Sequence, residues 1–135
     1  MVPQTITYDG RLRCSARHEP SGASLVTDAP KDNQGEGASF SPTDLLCTAL
    51  ATCMTTTMAI IARRNGFELG PVRAAVEKHM TAQPPRTIAR VVIDLTMPAG
   101  LDEGQRRLME QAAHGCPVAL ALKPTVEQAV RFAYL

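Results

Sequence analysis

The residues best equipped for covalent chemistry are four cysteines, Cys14, Cys47, Cys53 and Cys116. A thiolate is both a nucleophile and a metal ligand, so the surroundings of each sulfur decide what it can do. Cys116 directly precedes Pro117, at the expected start of a short helix, where free backbone amides and the helix dipole favour a thiolate. Cys53 lies in the middle of a long apolar run and gains nothing from a helix end. Burial there would raise its pKa and leave it inert unless a cation or hydrogen-bond donor stands close. On this ground alone Cys116 is the more acidic thiol. Cys47 is about 120° around the helix from Cys53, so the two do not face each other, and its expected role is packing. Cys14 falls inside an alternating segment, where it reads as a small apolar residue on a sheet face.

Metal chemistry has weaker support. Cys14 with His18, and His114 with Cys116, offer two thiols and two imidazoles, but neither spacing matches an ordinary zinc motif. His79 reads as an exposed strand histidine. The chain contains no nucleophile elbow, phosphate-binding loop, dinucleotide fingerprint or HExxH.

The element that must position Cys53 runs from Ser41 to Gly66. Ser41-Pro42 pairs a capping hydroxyl with a proline preset to helical φ. Asp44 suits the positive end of the helix dipole, and Arg63 and Arg64 suit the negative end. Asn65-Gly66 stops the helix. Leu46, Leu50, Cys53, Thr57, Ile60, Ile61 and Arg64 follow helical spacing and make one face. A helix this apolar is expected to be covered on most sides. The uncharged run just reaches membrane-spanning length, but its threonines and cysteines, and the lack of a second such run, favour a core helix.

Before this helix, Thr5–Tyr8 and Arg11–His18 alternate around Asp9-Gly10, predicting two antiparallel strands joined by a tight turn. Ser24–Thr27 predicts a third strand. The polar segment 28–40 reads as a loop, in which Lys31, Asn33 and Glu36 are candidate binding residues or solvated charges. After the helix, Val72–Thr81 and Arg86–Met97 predict a hairpin turning near Gln83-Pro84-Pro85. A helix follows from Leu101-Asp102 to His114, with Leu108, Met109, Ala112 and Ala113 inward, and a short one from Cys116 to Leu122. Val126–Leu135 reads as a strand, with a helix as the alternative. Strands are not each followed by a crossover helix, so the predicted class is α+β with antiparallel sheet, in one domain spanning 1–135.

Composition sets outer bounds. A chain of 135 residues, 44% hydrophobic, can bury its own core. A formal net charge of +1 without a basic run argues against nucleic acid as a partner. The start MVPQTITYDG has no basic-then-apolar leader, so the cytoplasm is the expected compartment. There, cysteines point to catalysis, metal or packing rather than to a disulfide framework.

Two segments carry a family resemblance. SPTDLLCTALATC, with its cysteine midway along a long helix, followed much later by GCPV, resembles the OsmC/Ohr family of osmotically induced and organic-hydroperoxide-resistance proteins. Gly35 and Gly37 in the loop before Ser41-Pro42 also fit, and the resemblance covers nearly the whole chain. It implies antiparallel sheets wrapped around long central helices in an intertwined homodimer, with active sites at the subunit interface. It also implies thiol-dependent reduction of organic hydroperoxides. Cys53 would be the peroxidatic thiol and Cys116 would resolve its sulfenic acid as a disulfide. An external dithiol, a lipoylated protein for some members, would complete turnover, and no bound cofactor is implied. One departure stands out. Thr43 occupies the position of a family glutamate that pairs with an arginine to activate the thiolate. Asp44 is adjacent, and Arg11, Arg13, Arg17 and Lys31 are the available cations. The chain therefore resembles the OsmC-like branch that lacks the usual Glu–Arg pair. A non-catalytic ligand-binding or thiol-sensing dimer is the alternative reading.

Overall fold

Backbone contacts in the computed structural model, which describes residues 1–135, fall into two compact units, Met1–Leu46 and Cys47–Leu135. The first is built on an antiparallel meander of β1 (Gln4–Gly10), β2 (Arg13–His18) and β3 (Ser24–Asp28), in that order across the sheet. The β1–β2 turn is not at Asp9-Gly10. Tyr8 pairs with Cys14 and Gly10 with Arg13, so Asp9 is bulged out, and Arg11 and Leu12 make the turn at φ +56° and +62°. Gly10, at φ +84°, absorbs the bulge. The dipeptide thus marks the break correctly but enters it through a bulge rather than forming the tight turn. Ile6, Tyr8 and Leu25 share one face of this sheet and are all exposed.

The loop after β3 is tightly folded on itself. Ala29 O accepts from the Gly37 amide at 3.2 Å, and Asp28 N–H donates to Phe40 O at 3.1 Å. Gly35 is required here, because a Cβ would fall 1.7 Å from Ala29 O.

Helix α1 (Pro42–Arg64) begins with a reciprocal cap: Ser41 Oγ accepts the Asp44 amide at 3.1 Å and Asp44 accepts the Ser41 amide at 2.8 Å. Its buried row is Cys47, Leu50, Ala51, Met54, Met58 and Ala62. This row overlaps the face read from the sequence spacing only at Leu50. Leu50 is buried, whereas Leu46 and Ile60 are 37% and 46% exposed. Both sides of α1 are apolar or small, so periodicity could not distinguish them, and the helix is not covered on most sides. By length and composition α1 is the one helix capable of crossing a membrane, but its inner row belongs to a protein core.

The second unit adds β4 (Arg73–Met80), β5 (Ile88–Met97), α2 (Glu103–His114), α3 (Pro117–Ala121) and β6 (Glu127–Tyr134). The sheet order is β4-β5-β6, with β4 antiparallel and β6 parallel to β5. This corrects the purely antiparallel expectation: α2 and α3 form a crossover connection between β5 and β6. Along β5, Val91, Ile93, Leu95 and Met97 point inward and join the α1 row in one core cluster. Asp94 and Arg90 point outward and pair with Arg131 and Glu127 of β6.

Helix α2 opens with a capping box between Asp102 and Gln105. Met109 and Ala113 are its buried residues, and Leu108 and Ala112 pack beside the core. It is stapled to β6: Tyr134 donates to Glu110 at 2.6 Å, the Arg106 guanidinium lies 4.6 Å from the Tyr134 ring centre, and His114 meets Phe132 edge-on. Burial and the Glu110 carboxylate hold the Tyr134 hydroxyl protonated well above its usual range.

Two substitutions test this packing. Met54→Ala is expected to lower unfolding free energy by about 2–5 kcal/mol through cavity formation. Ser41→Ala is expected to cost about 1 kcal/mol through loss of the cap. Urea denaturation curves measure both.

Candidate active site

The second unit brings Cys53 and Cys116 together. Cys53 projects from the middle of α1 and is half-buried, whereas Cys116 is fully buried, at 0% exposure. The two thiols are neighbours, close enough for Cys53 to act on the ionisation of Cys116.

The backbone of Cys116 is held on both sides. Its N–H donates to Ala113 O at 3.3 Å and its carbonyl accepts from Leu120 N–H at 3.1 Å. Gly115 ends α2, with its amide donating to Gln111 O at 3.0 Å, and Pro117 opens α3. The Cys116 sulfur caps α3 by accepting the Ala119 amide at 3.4 Å.

The expectation that the helix start makes Cys116 an acidic thiol does not hold. Burial pushes its pKa up, the Ala119 amide offsets part of that, and Cys53 next to it pushes further up. The helix-start argument was correct in sign, but α3 has only five residues and the sulfur is dry. Access is divided accordingly: Cys53 can be reached from solvent and Cys116 cannot.

The other two thiols stand apart in role. Cys47 is buried in the core cluster. Cys14 is half-buried on β2, opposite Tyr8 and Thr27. No group of three or more His, Cys, Asp or Glu side chains is arranged to hold a metal ion. His79 is exposed beside Glu77, and His18 bonds Ser21.

The charged candidates of the first unit meet in a cluster of their own. Glu36 receives Arg11 at 2.9 Å and Arg13 at 2.6 Å, one on each carboxylate oxygen. Of the other loop candidates, Lys31 and Asn33 lie exposed in a single 3-10 turn. Arg17 pairs with Glu19 at 3.6 Å. The Thr43 hydroxyl meets that of Ser41 at 3.1 Å, and Asp44 serves the α1 cap.

Sequence reading missed Asp28. It has no solvent exposure, accepts the Ala38 amide at 2.9 Å, and forms an ion pair with Arg13 at 3.6 Å. The only sequence hint is its place at the end of β3, directly opposite Arg13 of β2. The Ala38 amide holds its carboxyl below the usual range. Arg13 acts in the same direction, and both outweigh the opposing effect of burial.

Two outcomes follow. At mildly alkaline pH, limiting iodoacetamide should alkylate Cys53 well before Cys116, as read by peptide mass spectrometry. The depressed Asp28 pKa means its stabilising effect is full above about pH 4 and is lost as pH falls through the lower folded value. The stability gap between wild type and Asp28→Asn, measured as urea midpoints, should therefore narrow from about pH 7 to about pH 3.

The comparisons agree with this fold. The family model described as OsmC-like protein matches residues 35–130. A solved structure from Psychrobacter arcticus, provisionally named an osmotic stress induced and detoxification response protein, is 42% identical; it superposes with a TM-score of 0.91 over 98% of this chain and 96% of its own. An organic hydroperoxide resistance protein OsmC from Legionella pneumophila, also called a predicted redox protein and regulator of sulfide bond formation, is 19% identical. Its TM-score is 0.78 over 98% and 96% of the two chains. An organic hydroperoxide resistance protein from Elizabethkingia anophelis is 14% identical, with a TM-score of 0.78 over 100% and 96%. These two likenesses speak for the fold alone. No functionally curated protein matches the sequence. With a family model covering most of its length and a near full-length relative of substantial identity, the chain belongs to the OsmC-like protein family.

Proposed function

We propose that this protein is a thiol-dependent peroxidase that reduces organic hydroperoxides in defence against oxidative stress. The observation that carries the reading is a reachable Cys53 beside a buried Cys116. Unequal access suits a two-thiol cycle. The Cys53 thiolate attacks the terminal oxygen of ROOH, the O–O bond breaks, and ROH leaves after taking up a proton. Cys53 is then a sulfenic acid. The Cys116 sulfur displaces its hydroxyl as water, and the disulfide forms. Two electrons have passed from the thiols to the peroxide. An external dithiol, for which a lipoylated protein is the candidate class, returns them by thiol–disulfide exchange.

The same reading includes a homodimer. Leu46 and Ile60 on the outer side of α1, and Ile6, Tyr8 and Leu25 on the first sheet, form exposed apolar surface that a second copy would cover. We assign the cycle to the cytoplasm, whose reducing thiol pools keep cysteines free.

The test is one equivalent of cumene hydroperoxide added to reduced protein. Mass spectrometry should show an intramolecular Cys53–Cys116 link. Cys53→Ser should consume no peroxide, and Cys116→Ser should stop at a sulfenic acid trapped by dimedone. If all thiols survive the oxidant, the reading fails. The ligand-binding alternative would then gain ground from a groove of about 490 Å3 on α1 lined by Thr56, Ala59, Ile60, Arg63 and Arg64.

A further inference from the structure

Cys116 occupies two positions at once. It is the neighbour of Cys53, and its sulfur is the N-cap of α3. Helix α3 has five residues, too few to be stable through its own hydrogen bonds, so its order depends on its cap and its tethers. Pro117 has no amide to satisfy, and the sulfur accepts the amide of Ala119. The one side-chain tether to α3 comes from β6, where Gln128 Nε2 donates to Ala119 O at 3.0 Å.

The Cys116 backbone is bonded through both its N–H and its C=O, which leaves rotation about χ1 as the way to move the sulfur. To bond Cys53, the two sulfurs must close to about 2.05 Å, with a Cβ–S–S–Cβ angle of about 90°. Any such rotation of Cys116 Sγ alters its 3.4 Å bond from the Ala119 amide. A disulfide sulfur is also a poorer acceptor than the thiol or thiolate it replaces, because it carries no negative charge and gives one bonding direction to its partner.

We propose that Cys116 is a redox-sensitive helix cap, so that forming the Cys53–Cys116 disulfide releases the Ala119 amide and loosens α3. The inference rests on the reading of these two thiols as a redox pair. The oxidation is balanced: a hydroperoxide accepts two electrons and leaves as an alcohol and water, while two thiols become one disulfide. Leu120 of α3 is 74% exposed, so the oxidised protein would present a changed surface segment to a reductant only when there is a disulfide to reduce.

Hydrogen–deuterium exchange across residues 117–122 tests this, with the disulfide formed by diamide rather than by peroxide. Diamide takes two hydrogens from the thiol pair and becomes the hydrazine. The Ala119 and Leu120 amides of the wild type should exchange about five- to tenfold faster after oxidation, the size of one lost cap. Cys116→Ser retains a capping hydroxyl and should stay protected with or without diamide. Cys116→Ala should exchange fast in both states. Cys53→Ser, unable to form the link, should not respond.

A verified disulfide with unchanged exchange in α3 would overturn the cap, as would full protection in Cys116→Ala. Failure of diamide to link the pair would overturn both the cap and the peroxidase. A protein that loosens α3 with diamide but ignores organic peroxide would keep the cap and reject the peroxidase. One that forms the link with peroxide while α3 stays protected would reject the cap alone.

Discussion

Burial of one row of α1 against the inner face of β5 is the interaction on which the second unit depends. Leu50, Met54, Met58 and Ala62 share a single core cluster with Val91, Ile93, Leu95 and Met97, all essentially without solvent contact. Removing these side chains from water is the main favourable contribution to folding the unit. The methionines matter for a second reason. Met54, Met58, Met97 and Met109 are buried, unbranched and flexible, which suits them to filling irregular gaps in the core.

The same packing sets the chemistry. Because the inner row fixes the rotation of α1, Cys53 lies on its flank, partly reachable and beside Cys116. Cys116 is held by the crossover that brings β6 parallel to β5, since α2, the Gly115–Cys116 turn and α3 all lie on that connection. The staple of Arg106, Glu110 and Tyr134 fastens α2 to β6 and so fixes the chain leading into the turn. A parallel strand pair needs such a long connection, and here the connection also carries the second thiol.

The first unit shows a different balance. Its sheet leaves apolar side chains in solvent on one face, while its charges gather around Asp28, Arg13, Glu36 and Arg11. An ion pair that shields a buried carboxylate is worth more than one on the open surface, because removing either partner strands the other. The loop 29–40 is therefore held by its Asp28 contacts and by the close passage of Gly35 over Ala29.

Local signals in the chain were enough to set the order and bounds of nearly every element. Ser41-Pro42 and Asn65-Gly66 bracket α1 within two residues, Asp102 caps α2, and the alternation of β5 survives intact. The SPTDLLCTALATC and GCPV segments were enough to point to the family. Such signals act over a few residues, through capping bonds, turn conformations and side-chain period. Four matters were beyond them: which apolar side of α1 faces inward, the parallel placement of β6, the dryness of Cys116 and the burial of Asp28. Each depends on what a distant part of the chain brings into contact. An apolar row is buried only if a sheet lies over it, and a capping sulfur is acidic only if water or charge can reach it. Tertiary structure alone supplies those neighbours, and for Cys116 they push up a pKa that its local sequence suggested would be low.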